Sequence, residues 1–238
     1  MTDIEIRGLT KTFGPIHAVD DVSFTAPAGQ VTGFLGPNGA GKTTTLRMLL
    51  GLERPTGGTA VIGGRAYREL ASPRRTVGAV LEASGLHPGR RGRTHLELLA
   101  RAAGLPRQRV DEVLETVGLG AAADRRAGGY SLGMRQRLAV AGALLGDPEV
   151  LVLDEPTNGL DPAGVRWLRD LLRQLAGEGR TVLVSSHLLA EVTQYADRVV
   201  IIAGGRLRYE GPVDGLTTGG QSFEDAFLAL VEPEGANL

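Results

Sequence analysis

Three short segments of this 238-residue chain carry residue types spaced for phosphate chemistry. The first, GFLGPNGAGKTTT, contains G-x-x-x-x-G-K-T as Gly36, Pro37, Asn38, Gly39, Ala40, Gly41, Lys42 and Thr43, with Thr44 next. Glycines there let successive backbone N–H groups turn inward around phosphate oxygens, and the positive end of a following helix adds to the attraction. Lys42 supplies a point charge for the β- and γ-phosphates, and the Thr43 hydroxyl is a ligand for Mg²⁺. The second, VLVLDEP, is an apolar strand ending in Asp154 and Glu155. A buried strand delivers Asp154 to its carboxyl end, where ligands bind in open α/β sheets, and there it can hold Mg²⁺ through water. Glu155 points elsewhere and can orient or deprotonate an attacking water. The blander alternative is a solvated acidic pair. The third, YSLGMRQRL, sets Ser131 and Gly133 at the mouth of a basic helix, which suits either ordinary N-capping or an anion site.

These segments need a scaffold. The runs VTGFLG, TAVI, VGAVL, VLVLD, TVLVSS and RVVIIA are short, apolar and β-branched, and several lack polar alternation, as strands buried on both faces of a parallel sheet do. Between them, KTTTLRMLLG and PAGVRWLRDLLRQLAGEG read as helices, the second with Val165, Leu168, Leu171, Leu172 and Leu175 at helical spacing. Strand-helix alternation predicts an α/β layered core. From about residue 84 to 147 the chain holds three helical patterns and no convincing strand, which predicts a helical subdomain inserted into a core of residues 1–83 and 148–238. The tail predicts one short helix, SFEDAFLALV, packed on that core.

Bulk properties exclude several classes. Net charge is −1, so no overall basic surface points to nucleic acid. There is no cysteine, hence no disulfide and no thiolate metal site. Lysine occurs only as Lys11 and Lys42, which makes the one in the glycine-rich loop conspicuous in a chain that otherwise uses Arg. The start, MTDIEIRGLTKTFG, lacks a signal-peptide pattern, and LAVAGALLG is far shorter than the ~20 residues of a membrane span. A soluble chain is expected, one that would serve a membrane process only through a partner.

With the order glycine-rich loop, helical insertion, YSLGMRQRL, VLVLDEP, the chain resembles the ATP-binding subunits of ABC transporters along nearly its whole length. The resemblance implies a P-loop NTPase core with a mostly parallel sheet, an N-terminal antiparallel β portion and the helical insertion. Its cofactors would be ATP and Mg²⁺. It makes Ser131, Leu132, Gly133 and Met134 the signature segment, in which Ser131 and the N–H of Gly133 face a γ-phosphate held by a second subunit. The capping geometry then forms an anion site completed only in a dimer. The same resemblance implies that Phe13 stacks on adenine, that Asp161 in NGLDP crosses the dimer interface, and that His187 in SSHLLAEV contacts the γ-phosphate. For Phe13 the alternative is a core side chain at a strand end. His17, His87 and His95 have no comparable context, and no pair has metal-ligand spacing.

Two departures stand out. The commonest signature reads Leu-Ser-Gly-Gly-Gln, and this chain has Tyr130, Leu132 and Met134 at three of those places. Where the family carries a Gln before the helical subdomain, this chain has Glu82, and it has no Gln between Gln30 and Gln108. A carboxylate there can still bind Mg²⁺ or accept from water, while adding negative charge near a triphosphate.

The resulting expectation is an ATPase that dimerises around two ATP molecules and drives a separate transmembrane permease. It would lie peripherally on the cytoplasmic side of the membrane and make no use of nucleic acid. Resemblance to the drug-resistance branch points to export, and LHPGRRGRTHL is the expected docking segment, a solvated basic face being the alternative. A permease-free ABC-type ATPase and a nucleotide-sensing subunit with little hydrolysis stay open at this point.

Overall fold

Pairing sorts the strands into two sheets. The computed structural model describes residues 2–81, 85–217 and 222–231. Strands β1 (Ile4–Phe13), β2 (Ile16–Ala26) and β4 (Gly57–Ile62) form an antiparallel sheet in the order β2-β1-β4. The TAVI run belongs here, half exposed in β4, and not in the parallel core. Strands β3 (Val31–Leu35), β5 (Val77–Val80), β6 (Val150–Asp154), β7 (Thr181–Ser186) and β8 (Arg198–Ala203) pair parallel, and β9 (Arg206–Pro212) closes one edge antiparallel. The order is β5-β6-β7-β3-β8-β9.

The parallel strands are apolar on both faces because each face has its own cover. Val152, Leu183, Phe34 and Val200 pack toward the antiparallel sheet with Ile4, Phe24 and Leu46. Their neighbours Leu151, Leu153, Val184 and Ile201 pack on the opposite side with Leu168, Leu172 and Val192. Each fully buried side chain of this size contributes on the order of 2 kcal/mol.

Helices fill the connections: α1 (Lys42–Leu49), α2 (Pro73–Thr76), α3 (Gly92–Ala102), α4 (Gln108–Thr116), α5 (Leu132–Leu144), α6 (Pro162–Gly177), α7 (Leu189–Val192) and α8 (Phe223–Val231). Pro162 opens α6 at the position where its missing N–H costs nothing, and Leu168, Leu171, Leu172 and Leu175 form its buried stripe. Between β5 and β6 the described residues form α3, α4 and α5 and no named strand; Leu96, Ala100, Val110, Val113, Leu114 and Leu138 join them. At the C-terminal end of the described chain, α8 sets Phe223, Phe227 and Leu230 against the same cluster.

Register does the positioning. Leu35 pairs with Ser186, and Asp154 with Ser185, so β3, β6 and β7 end at one edge of the sheet. The segments that follow them are the glycine-rich loop, Glu155 and His187.

Candidate active site

The loop after β3 closes on a lysine. Gly41 sits at φ +103°, and a Cβ there would stand 2.4 Å from the Ala18 carbonyl oxygen, so only glycine fits. Lys42 begins α1 and is buried; its Nζ donates to Gly36 O at 2.7 Å and Pro37 O at 3.2 Å. Thr45 ties the turn down by donating to Gly41 O at 2.9 Å. The first N–H groups of α1 have no intrahelical acceptor and point, with the helix dipole, at the space the loop encircles.

The ends of β6 and β7 meet this loop. Thr43 Oγ1 donates to Asp154 Oδ2 at 2.7 Å, and Ser185 Oγ donates to the other carboxylate oxygen, Oδ1. Asp154 is thereby held rigidly although it is buried. Glu155 leaves the strand at φ +49°, a left-handed conformation that costs a non-glycine residue on the order of 1 kcal/mol. Its N–H is caught by Ser185 Oγ at 3.0 Å and Ser185 O at 3.2 Å. The turn swings the Glu155 carboxylate back over the loop, with Oε1 3.3 Å from Lys42 Nζ and Oε2 2.8 Å from His187 Nδ1. A carboxylate only accepts, so Nδ1 carries the hydrogen and Nε2 remains as the outer nitrogen.

Lys42, Thr43, Asp154, Glu155 and His187 are therefore brought into one network of contacts. Ser185 links Asp154 to Glu155, a role that its residue type alone does not announce. Its signal was a polar residue ending the otherwise apolar VLVSSH run, but only the Asp154–Ser185 register gives it a partner.

Other candidates lie apart. Phe13 is not a core side chain: it is 47% exposed at the end of β1, with Lys11 Nζ 4.7 Å above its ring. Ser131 caps α5 by accepting from Met134 N at 3.2 Å, and Asp161 caps α6 by accepting from Gly164 N at 2.8 Å. Neither makes a hydrogen bond to the glycine-rich loop among the described residues. Gly133 is more informative. Its φ is not left-handed, and a Cβ would meet nothing nearer than Leu160 Cδ2, at an ordinary 3.5 Å. The fold of one chain gives no reason for a glycine in the first turn of this helix, where it costs roughly 1 kcal/mol relative to Ala. Glu82 lies outside the described residues; β5, which precedes it, pairs Val80 with Leu153 next to Asp154.

The site's donor set suits Mg²⁺. Thr43 Oγ1 and Asp154 Oδ2 are hard oxygens held together at the sheet edge. No cluster of three or more His, Cys, Asp or Glu occurs among the described residues, so an ion here would take its remaining ligands from phosphate oxygens and water, as Mg²⁺ commonly does.

Residues 19–158 match the family model described as ABC transporter. The chain is 44% identical over 218 residues to the bacitracin transport ATP-binding protein BcrA of Bacillus licheniformis, covering 90% of this chain and 71% of that protein. It is 42% identical over 213 residues to the daunorubicin/doxorubicin resistance ATP-binding protein DrrA of Streptomyces peucetius, covering 87% and 64%. Among solved structures, an ATP-binding subunit of an ABC transporter superimposes with a TM-score of 0.86 at 28% identity, covering 95% of this chain and 98% of that one. The dimeric bacterial ABC transporter cassette MJ0796 does so with a TM-score of 0.77 at 27% identity, covering 88% and 98%.

Proposed function

The chain belongs to the ABC transporter family of ATP-binding, ATP-hydrolysing subunits, and from that premise we propose how its own residues bind ATP, cleave it and pass the result to a permease. The observation that carries the proposal is the contact between Lys42 and Glu155 across the mouth of the loop. A triphosphate seated in the loop competes for the Lys42 ammonium, since phosphate oxygens carry more charge than the Gly36 and Pro37 carbonyls it meets here. Drawing Lys42 away releases Glu155 Oε1 to accept a proton from water. His187 holds Oε2 and so fixes the direction of the free oxygen. Thr43 and Asp154, held together at 2.7 Å, would hold Mg²⁺, which when bound would neutralise part of the phosphate charge. Phe13, exposed and flat, offers the adenine a face. These assignments favour a hydrolysing subunit over a nucleotide sensor.

We assign Ser131 and Gly133 to the γ-phosphate of a second copy, across an interface that also takes up Asp161. The glycine that one chain does not explain is explained by a phosphate approaching the bare backbone. The cassette MJ0796, similar in fold to this chain, is dimeric. Ser131→Asp separates this role from capping. Asp caps as well as Ser, so the unfolding midpoint should stay within a few degrees, while a carboxylate placed at a phosphate should abolish ATP-induced dimerisation. Dimerisation unaffected by the substitution would remove Ser131 from the anion site.

Residues 84–147 are proposed as the subdomain that meets the permease. Between β5 and the helices α3 and α5 lies a groove of about 370 Å³ lined by Val80, Leu86, His95, Leu99, Arg135 and Leu138. The expected docking segment contributes Leu86 and His95 to its lining. Arg93 is engaged by Asp111 and Asp124, which leaves Arg90 and Arg91 as that segment's available cations among the described residues. No helix among the described residues is long and apolar enough to cross a membrane, so contact with the membrane would come through the permease, at its cytoplasmic face. Relatives named for bacitracin transport and daunorubicin/doxorubicin resistance support export of a drug-like molecule.

His95 gives this groove a pH dependence. Burial, and then the charge of Arg90, pull its pKa below the ordinary 6.5. A His with a depressed folded-state pKa stabilises the fold above its unfolded pKa, and that stability is lost as pH falls through the folded value. Unfolding midpoints of the isolated chain should therefore drop from pH 7 toward pH 5 by more than those of His95→Gln. Parallel profiles would remove His95 as the cause.

A further inference from the structure

The two loops proposed to reach a second subunit touch each other within one chain, through a pair that neither capping nor catalysis uses. Leu132, the first residue of α5, is 57% exposed although apolar. Its side chain lies on Gly159, two residues before Asp161. A Cβ built on Gly159 would stand 2.0 Å from Leu132 Cδ2 and 2.5 Å from Cγ, so the leucine fills the space that any side chain at 159 would need. Its own Cβ would be 3.5 Å from that point, an ordinary contact. Leu160, the next residue, packs partly against the core and lies 3.5 Å from where a Cβ on Gly133 would be. Each loop is otherwise anchored separately, Ser131 capping α5 and Asp161 capping α6.

We propose that Leu132 and Gly159 form a size-matched pair that keys the Ser131–Gly133 turn to the Asp161 loop, so that both present to the second subunit as one rigid surface and set the ATP concentration at which two subunits close. The proposal rests on the dimer reading above. Leu132 and Gly159 are positioning residues in it. Leu132 stands where the common signature has Gly, and the space it takes is released by having no side chain at 159. Breaking the match from the 159 side displaces the Leu132 side chain from the loop it covers. Breaking it from both sides restores room but not the key.

The test is a four-variant cycle: wild type, Leu132→Ala, Gly159→Ala and the double variant, each measured for ATP concentration at half-maximal hydrolysis, for kcat and for unfolding midpoint. Gly159 lies at φ +77°, so Ala there is strained in every background, and that strain cancels in the cycle. Gly159→Ala should raise the half-saturating ATP concentration about tenfold in wild type and about twofold or less beside Leu132→Ala, a coupling in the range seen for residues in contact. For Gly159→Ala, kcat should change less than about twofold, since Gly159 touches none of the reacting atoms. Equal effects of Gly159→Ala in both backgrounds would overturn the pairing. A fall in unfolding midpoint with unchanged half-saturation would overturn the keying role and leave a structural contact. A parallel sedimentation run on Glu155→Gln with ATP separates the two levels: a dimer alongside an additive cycle sinks this inference alone, and a strict monomer sinks the dimer reading and this inference together.

Discussion

Replacing Glu155 by Gln should lower steady-state ATP turnover by about 10²-fold or more while leaving ATP binding in place. The amide keeps the shape of the carboxylate and a carbonyl oxygen for His187 Nδ1–H, so the contact at 2.8 Å has a replacement. It cannot take a proton from water at neutral pH. The substitution also removes the ion pair at 3.3 Å with Lys42, which frees the ammonium for phosphate and should leave affinity unchanged or higher. Lys42 retains its two loop carbonyls, so the fold loses little. ATP would then persist at the site, and size-exclusion chromatography with ATP and Mg²⁺ should show a dimer. Turnover close to wild type would show that another group is the base. A monomeric profile well above ATP saturation would count against the two-site interface.

Lys42→Ala should act earlier, on binding itself. A unit charge about 4 Å from another is worth up to about 4 kcal/mol at an effective dielectric near 20. Water screening reduces this, so a loss of about 10²-fold in ATP affinity by calorimetry is expected, with hydrolysis falling at least as far. The loop should also relax, because Nζ is the donor that holds the Gly36 and Pro37 carbonyls inward. An unfolding midpoint measured beside the titration separates loss of the site from loss of the fold. Unchanged affinity in a folded Lys42→Ala chain would remove the glycine-rich loop from phosphate binding.

The two expected results differ in how readily the sequence points to them. Lys42 is legible because its role is local: a strand, a tight glycine turn and a helix start lie within a few residues, and Gly41 is required by its own φ and by the nearby Ala18 carbonyl. Glu155 is legible only as a neighbour of Asp154 at a strand end. Its left-handed turn, which decides where the carboxylate goes, leaves no mark on residue type. The short strand TAVI shows the opposite difficulty. Its residues suit either sheet, and the pairing of Ile4 with Ile62 places it in the antiparallel one.

From the amino-acid sequence alone come the strand-helix alternation, the glycine-rich loop, the Asp-Glu strand end, the Ser131 cap and the ordering that marks the family. The loop, the strand end and the cap depend on residues close together in the chain, and the alternation and the ordering are a succession of such local signals read in sequence, where periodicity, backbone freedom and capping act without regard to the rest of the molecule. Tertiary structure decided which of these ends meet. Parallel register across β6, β7 and β3 brings Ser185 beside Asp154 and His187 beside Glu155, residues about 30 positions apart in sequence. It also lays Leu132 on Gly159, a contact between two loops that are each complete as local motifs. Such pairings follow from how whole strands and helices stack, and stacking is settled by the burial of side chains spread over the entire chain, so no short segment can encode it.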